Sequence, residues 1–249
     1  MSQSVAPATK ETEGGTGSVC GLRCLAPAGS VPDDARDAYL IDGPTLGAAR
    51  LATAAGIVLP REGVARATEL LAAGARRVLL GEAALVDASI VAALAATFGG
   101  ERVGVYVPAR RFEVSWSFDT SSNADFRVLT PSLGAPAWEV LRADGTPTGT
   151  QALWWIGEML TRGASEVLLC VDIRDDADLN LCADGVERFG DRFWIGPLAD
   201  PAPVLDEWRR YGHARQLALP PLLYARAIAV EADVPASATE DAMPVERAA

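Results

Sequence analysis

A twelve-residue pattern that occurs twice constrains this chain more than any other feature. Glu69-Leu70-Leu71-Ala72-Ala73-Gly74-Ala75-Arg76-Arg77-Val78-Leu79-Leu80 is matched by Glu158–Leu169, EMLTRGASEVLL. Each copy reads as the end of a helix, a glycine that accepts left-handed cap geometry, and the start of a buried strand. A fainter third copy runs from Glu207 to Leu219. Ahead of Gly163, residues Ala152, Leu153, Ile156, Met159 and Leu160 recur at helical spacing. The run Glu166–Val171 behind it is too continuous for a half-exposed strand and fits one covered on both faces, as in a parallel sheet. Upstream, Asp144-Gly145-Thr146 marks a tight turn and Pro147-Thr148-Gly149 opens a new element.

Further strands are expected at Gly21–Leu25, Tyr39–Asp42, Gly56–Leu59, Val103–Val107 and Arg192–Gly196. Helices alternate with them at Leu46–Ala55, Val64–Ala73, Ala88–Phe98, Leu153–Leu160, Leu179–Arg188 and Ala202–Tyr211. Roughly eight strands alternating with helices predict a (β/α)8 barrel or a doubly wound sheet, and the repeat between the halves favours the barrel. Two departures are expected. About a dozen residues separate the first strand from the second, the minimum for a crossover, so the first helix is stunted or absent. The stretch Ala109–Ala137 is a long excursion after the fifth strand, and FEVSWSF and FRVLT within it alternate as hairpin strands do. It is either a surface hairpin or a lid over the barrel mouth. The expected division is a disordered tail over 1–18, an α/β barrel over 19–230 with the insert at 109–137, and a second disordered tail over 231–249.

Composition narrows the function classes. With 22 basic against 33 acidic residues the net charge is −11, which disfavours a nucleic-acid backbone as partner. No apolar run reaches the ~18–20 residues that span a bilayer, and MSQSVAPATKETEGGTGS carries no apolar signal core. A cytoplasmic protein with reduced thiols is therefore expected from its four cysteines, Cys20, Cys24, Cys170 and Cys182. Cys20 and Cys24 fall short of a metal pair, since the chain holds one His and no second pair. Asp172, Asp175, Asp176 and Asp178 cluster in one loop, but no glycine stands where a calcium loop needs its sharp turn, so solvated loop charge is the reading. No metal and no cofactor is expected. His213 reads as a surface turn residue, and Trp154 and Trp155 as helix packing.

With these units placed, the blocks GARRVLL-GEAAL, AATFGGERVGVYVPARR, WEV-DGTPTG and GASEVLL-VDIRD resemble the HisA/HisF family, the HisF branch most closely. The resemblance covers about Gly56–Arg110 and Trp138–Tyr224. It implies a (β/α)8 barrel of two similar halves. It also implies a cyclase that takes ammonia from a glutaminase docked beneath the barrel and closes a ring on a phosphoribosyl substrate at the top, in histidine biosynthesis.

That chemistry needs two carboxylates, ending the first and fifth strands, to pass protons. Their positions fall on Ala26 and Pro108, neither of which can transfer a proton. Asp175 falls on a family carboxylate near the substrate. The family's phosphate-loop residues fall on Val58-Leu59-Pro60, Gly81-Glu82, Pro197-Leu198 and Pro220, where prolines remove donors and Glu82 adds repulsion. The family's charged ring at the strand amino ends falls on Cys20, Asp37, Arg77 and Glu166, with three of four charges kept in sign. This ring is either a partner-docking gate or charge that solvates the rim.

The expectation is a divergent HisF-like barrel without the family cyclase, a pseudoenzyme that binds a glutaminase-like subunit, another copy of itself, or a small molecule. One alternative is an enzyme with altered chemistry on a non-phosphorylated substrate, using Asp175, Arg174, Glu82 and Arg110. Another is ordinary HisF activity.

Overall fold

Apolar runs that cannot be left half-exposed pair side by side until no edge remains. The computed structural model describes residues 21–32, 35, 37–112, 116–123, 126–133 and 135–232. The barrel strands are β1 (Gly21–Pro27), β2 (Tyr39–Ile41), β3 (Gly56–Leu59), β4 (Val78–Leu80) and β5 (Val103–Arg111). An excursion adds β6 (Trp116–Asn123), β7 (Phe126–Leu133), β8 (Trp138–Leu141) and β9 (Pro147–Gln151), and the barrel resumes with β10 (Glu166–Cys170), β11 (Phe193–Gly196) and β12 (Gln216–Leu219). Eight of these strands are parallel neighbours, and the pairing of β10 with β5 in register Glu166↔Gly104 to Cys170↔Pro108 closes the ring. The outcome is a closed (β/α)8 barrel.

Helices α1 (Ala48–Leu51), α2 (Val64–Ala72), α3 (Glu82–Val86), α4 (Ser89–Phe98), α5 (Ala152–Thr161), α6 (Asp176–Phe189), α7 (Leu205–Arg210) and α8 (Pro221–Ala232) surround it. Among the described residues only a short 3-10 turn, Ala28–Ser30, lies between β1 and β2. α1, after β2, has four residues, so the first quarter is indeed abbreviated. The repeat glycines do what the pattern implied: Gly74 (φ 100°) and Gly163 (φ 105°) end α2 and α5 in left-handed geometry. In the third copy the left-handed residue is instead His213 (φ 52°), while a side chain on Gly212 would meet the Trp208 carbonyl.

Alternation along each strand sorts the core into two. One cluster fills the space between strands and helices and holds Cys24, Ala26, Leu40, Ile57, Val105, Val107 and Leu169. The other lies inside the barrel and holds Tyr39, Val58, Leu79, Leu168, Cys170, Trp194 and Ala218, with Leu25, Ile41 and Tyr106 against it. Gly104 faces inward where a Cβ would come within 2.8 Å of the Glu166 carbonyl, which is why β5 carries a glycine there.

The excursion is more extensive than the sequence pattern implied. β5 runs past the barrel to Arg111 and pairs antiparallel with β8, which pairs with β9 across the Asp144–Thr146 turn. β6 and β7 form a separate two-stranded sheet. Trp155 is buried under α5, whereas Trp154 is 59% exposed, so only one of the two tryptophans packs the helix. No helix among the described residues is long and apolar enough to cross a membrane. The expected tails lie almost wholly outside the described residues, with α8 continuing to Ala232.

Candidate functional site

The carboxyl ends of β1 and β5 are the places at which the resemblance implies proton-transfer groups. Ala26 is buried among the outer, helix-facing residues, and its neighbour Leu25 belongs to the interior cluster. Alternation therefore turns Leu25 and Pro27 inward, one residue away from the position read in the sequence. On β5, Tyr106 is interior, and Pro108 follows two residues later on the same face, beside Cys170. The ionisable groups of the interior cluster at that level are Tyr106 and Cys170, on the adjacent strands β5 and β10. Burial pushes the Cys170 thiol up to about 12 and the Tyr106 phenol well above its ordinary value, so both stay protonated at neutral pH.

Next to β5 and β10 a cleft of about 310 Å³ opens, lined by Ala109, Arg110, Arg111, Asp172, Arg174, Asp175, Asp178 and Leu198. Most of its charges are already committed. Asp175 caps α6, accepting from the N–H groups of Ala177 and Asp178 at 2.9 and 3.2 Å. It also receives a two-pronged contact from the Arg111 guanidinium. Arg111 holds the Asp175 carboxyl well below the usual carboxylate range, against a small desolvation and with help from the backbone donors. Asp178, 1% exposed, accepts from Arg111 Nε (3.0 Å), Trp138 Nε1 (2.8 Å) and the Arg174 N–H (3.0 Å). These contacts fasten the root of the excursion to α6.

Arg110 donates from Nε to Glu139, which also accepts from the Gly149 N–H. The Arg174 guanidinium lines the cleft and has no hydrogen-bond or ion-pair partner among the described residues. Glu82 is elsewhere: it takes Arg142 Nη1 (3.4 Å) and the Ala143 N–H (3.3 Å) at the β8–β9 turn. Of the four polar groups expected to converge, Arg110, Arg174 and Asp175 share one cleft and Glu82 does not. Among the described residues no three His, Cys, Asp or Glu side chains gather as a metal site.

Two of the loops that follow strands have backbone donors bonded within the chain. The Gly81 and Glu82 N–H groups after β4 bond to the Leu59 and Pro60 carbonyls after β3, at 2.9 and 3.0 Å. After β11, Pro197 has no N–H, but the next three donors, Leu198, Ala199 and Asp200, all point to Asp172 Oδ1 at 2.8–2.9 Å. Sequence reasoning attributed the weakness of this loop to missing donors. The donors are there, held by a carboxylate of the chain.

At the amino end a buried plug crosses the barrel floor. Glu166 Oε1 accepts from Arg77 Nη1 (2.7 Å), Arg23 Nη1 (3.0 Å) and the Tyr39 hydroxyl (2.6 Å). The Arg23 guanidinium lies 3.8 Å from the centroid of Trp194, over its ring, and also contacts Tyr39. Burial first, and the Glu166 charge second, keep the Tyr39 phenol well above its ordinary value. Two of the expected ring residues, Arg77 and Glu166, thus touch. Asp37 does not join them: it is exposed, left-handed (φ 56°) and paired with Arg76. Cys20 lies outside the described residues. Arg23, Tyr39 and Trp194 were missed, although period-two alternation back from Leu25 puts Arg23 on the inner face.

The family model described as "Histidine biosynthesis protein" matches residues 61–180. Imidazole glycerol phosphate synthase subunit HisF of Methanosphaerula palustris is 34% identical over 103 residues, which cover 41% of this chain and 36% of that protein. The matched part thus spans about a third of the relative's length.

Proposed function

We infer that the chain is a divergent member of the HisA/HisF family, and propose that it acts by binding, as a barrel that has given up the cyclase reaction of its HisF relatives. One observation carries this reading: the inner faces of β1 and β5 end in Leu25, Pro27, Tyr106 and Pro108, without a carboxylate between them. Ring closure with ammonia needs a group to take a proton and another to give one near neutral pH. A phenol and a thiol both held protonated by burial do neither. Asp175 is no substitute, because a carboxylate bound by Arg111 and two backbone donors is a poor base.

The proposed partner is a glutaminase-like subunit docked on the amino-end face, in keeping with the relative's name as a synthase subunit. Arg77 and Glu166 contribute to that face from within, bracing its floor rather than reaching outward. Self-association through the same end is the competing form of this reading. Co-sedimentation of the purified barrel with the glutaminase subunit of a HisF-type synthase tests the docking, and a free barrel at micromolar concentrations of both would oppose it. The reading also places the protein in the cytoplasm.

A second reading keeps catalysis but changes it. It is favoured by the shared cleft of Arg110, Arg174 and Asp175, which is of ligand size. The ordinary cyclase reaction is the third possibility, and the turnover assay described at the end of the Discussion separates it from the other two.

A further inference from the structure

The loop after β11 aims three successive backbone N–H groups, of Leu198, Ala199 and Asp200, at one oxygen. Converging amides of this kind form an anion-binding concavity. Here the bound anion is Asp172, at the end of the neighbouring strand β10, and each of the three bonds is 2.8–2.9 Å long. The same carboxylate lines the 310 Å³ cleft, together with Leu198 and the uncommitted guanidinium of Arg174. The concavity therefore opens on a space where a small molecule fits, beside a cation, and is filled from within.

We propose that Asp172 sets what the barrel mouth admits, by occupying as a tethered carboxylate the seat that an oxyanion would otherwise take. Two physical effects make this exclusion effective. A tethered group competes at an effective concentration on the order of millimolar or more, so a free phosphate must outcompete a ligand that never leaves. An incoming oxyanion also meets the charge of Asp172 at close range, which opposes it. The mouth accordingly refuses phosphate groups at this loop, and its ligand there is neutral or carries its charge toward Arg174. The inference rests on the binding reading above, because a mouth that turned over a phosphorylated substrate would need this seat open.

Titration calorimetry with inorganic phosphate tests it on the whole chain. The unmodified protein is expected to bind phosphate weakly, and Asp172→Asn, whose neutral amide oxygen still accepts the three N–H groups but no longer repels an anion, more tightly than it but less tightly than Asp172→Ala. Asp172→Ala empties the seat and is expected to bind at least about tenfold more tightly, the gain from releasing charge-assisted donors. Adding Arg174→Ala to that variant is expected to reduce the gain. Equal affinity in the unmodified protein and Asp172→Ala overturns the proposal, provided the variant still unfolds cooperatively. If Asp172→Ala does not fold, Asp172→Ser replaces it with the same two outcomes. Phosphate affinity reports on Asp172 alone, so a negative result here leaves the binding reading standing, whereas turnover by the unmodified protein would remove both.

Discussion

Asp175 is the residue at which family resemblance and local physics diverge. The resemblance sets it on a family carboxylate, yet its oxygens are taken up by Arg111 and by the first turn of α6. A carboxyl depressed in the folded state loses its stabilising contribution as pH falls, because the unfolded chain binds the proton first. The contribution is full above the ordinary carboxylate value of about 4 and disappears as pH drops through the lower folded value. Carboxyl-carbon NMR is expected to show Asp175 titrating below the usual range, and back within it in Arg111→Ala. An ordinary titration with Arg111 intact would contradict the structure.

The thiols give a second residue-scale expectation. Burial pushes Cys24 up to about 11, and Cys170 and Cys182 up to about 12. The sign is opposite to that of Asp175. The folded chain keeps these protons, and stability is lost as pH rises above the unfolded thiol value of about 8.5. In a Cys20→Ser background, a disulfide reagent at pH 8 is expected to label nothing in the native protein and all three thiols in guanidinium. Prompt native labelling of Cys170 would oppose the closed interior that surrounds it. That β1 and β5 end without a carboxylate was legible at this scale, but not which residue of β1 faces the interior. Ala26 and Leu25 are adjacent apolar residues, and only pairing with β2 and β12 decides which of them faces in.

At the scale of elements, the repeat was legible because one local pattern, a helix end with its glycine and a buried run, recurs with little variation. α6 begins at Asp176, three residues ahead of the expected Leu179, because Asp175 supplies a cap that a search for apolar spacing does not see. α3 and α8 were not read at all. Five-residue α3 is too short to set up a period, and α8 leaves Leu222, Ile228 and Val230 exposed, so its apolar residues mark no single face. The floor plug was only half legible, since its contacts join strands far apart in sequence. Glu166 at the start of β10 holds Arg23 of β1, Tyr39 of β2 and Arg77 ahead of β4. Glu166→Ala leaves two guanidinium groups without their carboxylate and is expected to lose about 3–5 kcal/mol in urea unfolding, with Glu166→Gln losing less because an acceptor remains. A change below about 1 kcal/mol, the scale of a surface pair, would mean that the plug does not brace the barrel floor.

For the whole molecule, a closed parallel barrel keeps its two ends chemically separate, one at the strand carboxyl ends and one at their amino ends. The amino end of this chain is held by a buried hydrogen-bonded plug. At the carboxyl end, backbone donors of the loops after β4 and β11 are bonded to the chain's own carbonyls and to Asp172. Most of the charged groups named at both ends are held in internal contacts, with Arg174 the exception in the cleft, and the proposed binding role is built on that. The most direct measurement is steady-state cyclase turnover by the purified full chain, supplied with the family's phosphoribosyl substrate and excess ammonium, so that no partner is required. No turnover above the uncatalysed rate is expected, and a rate near that of working HisF enzymes would contradict the binding role.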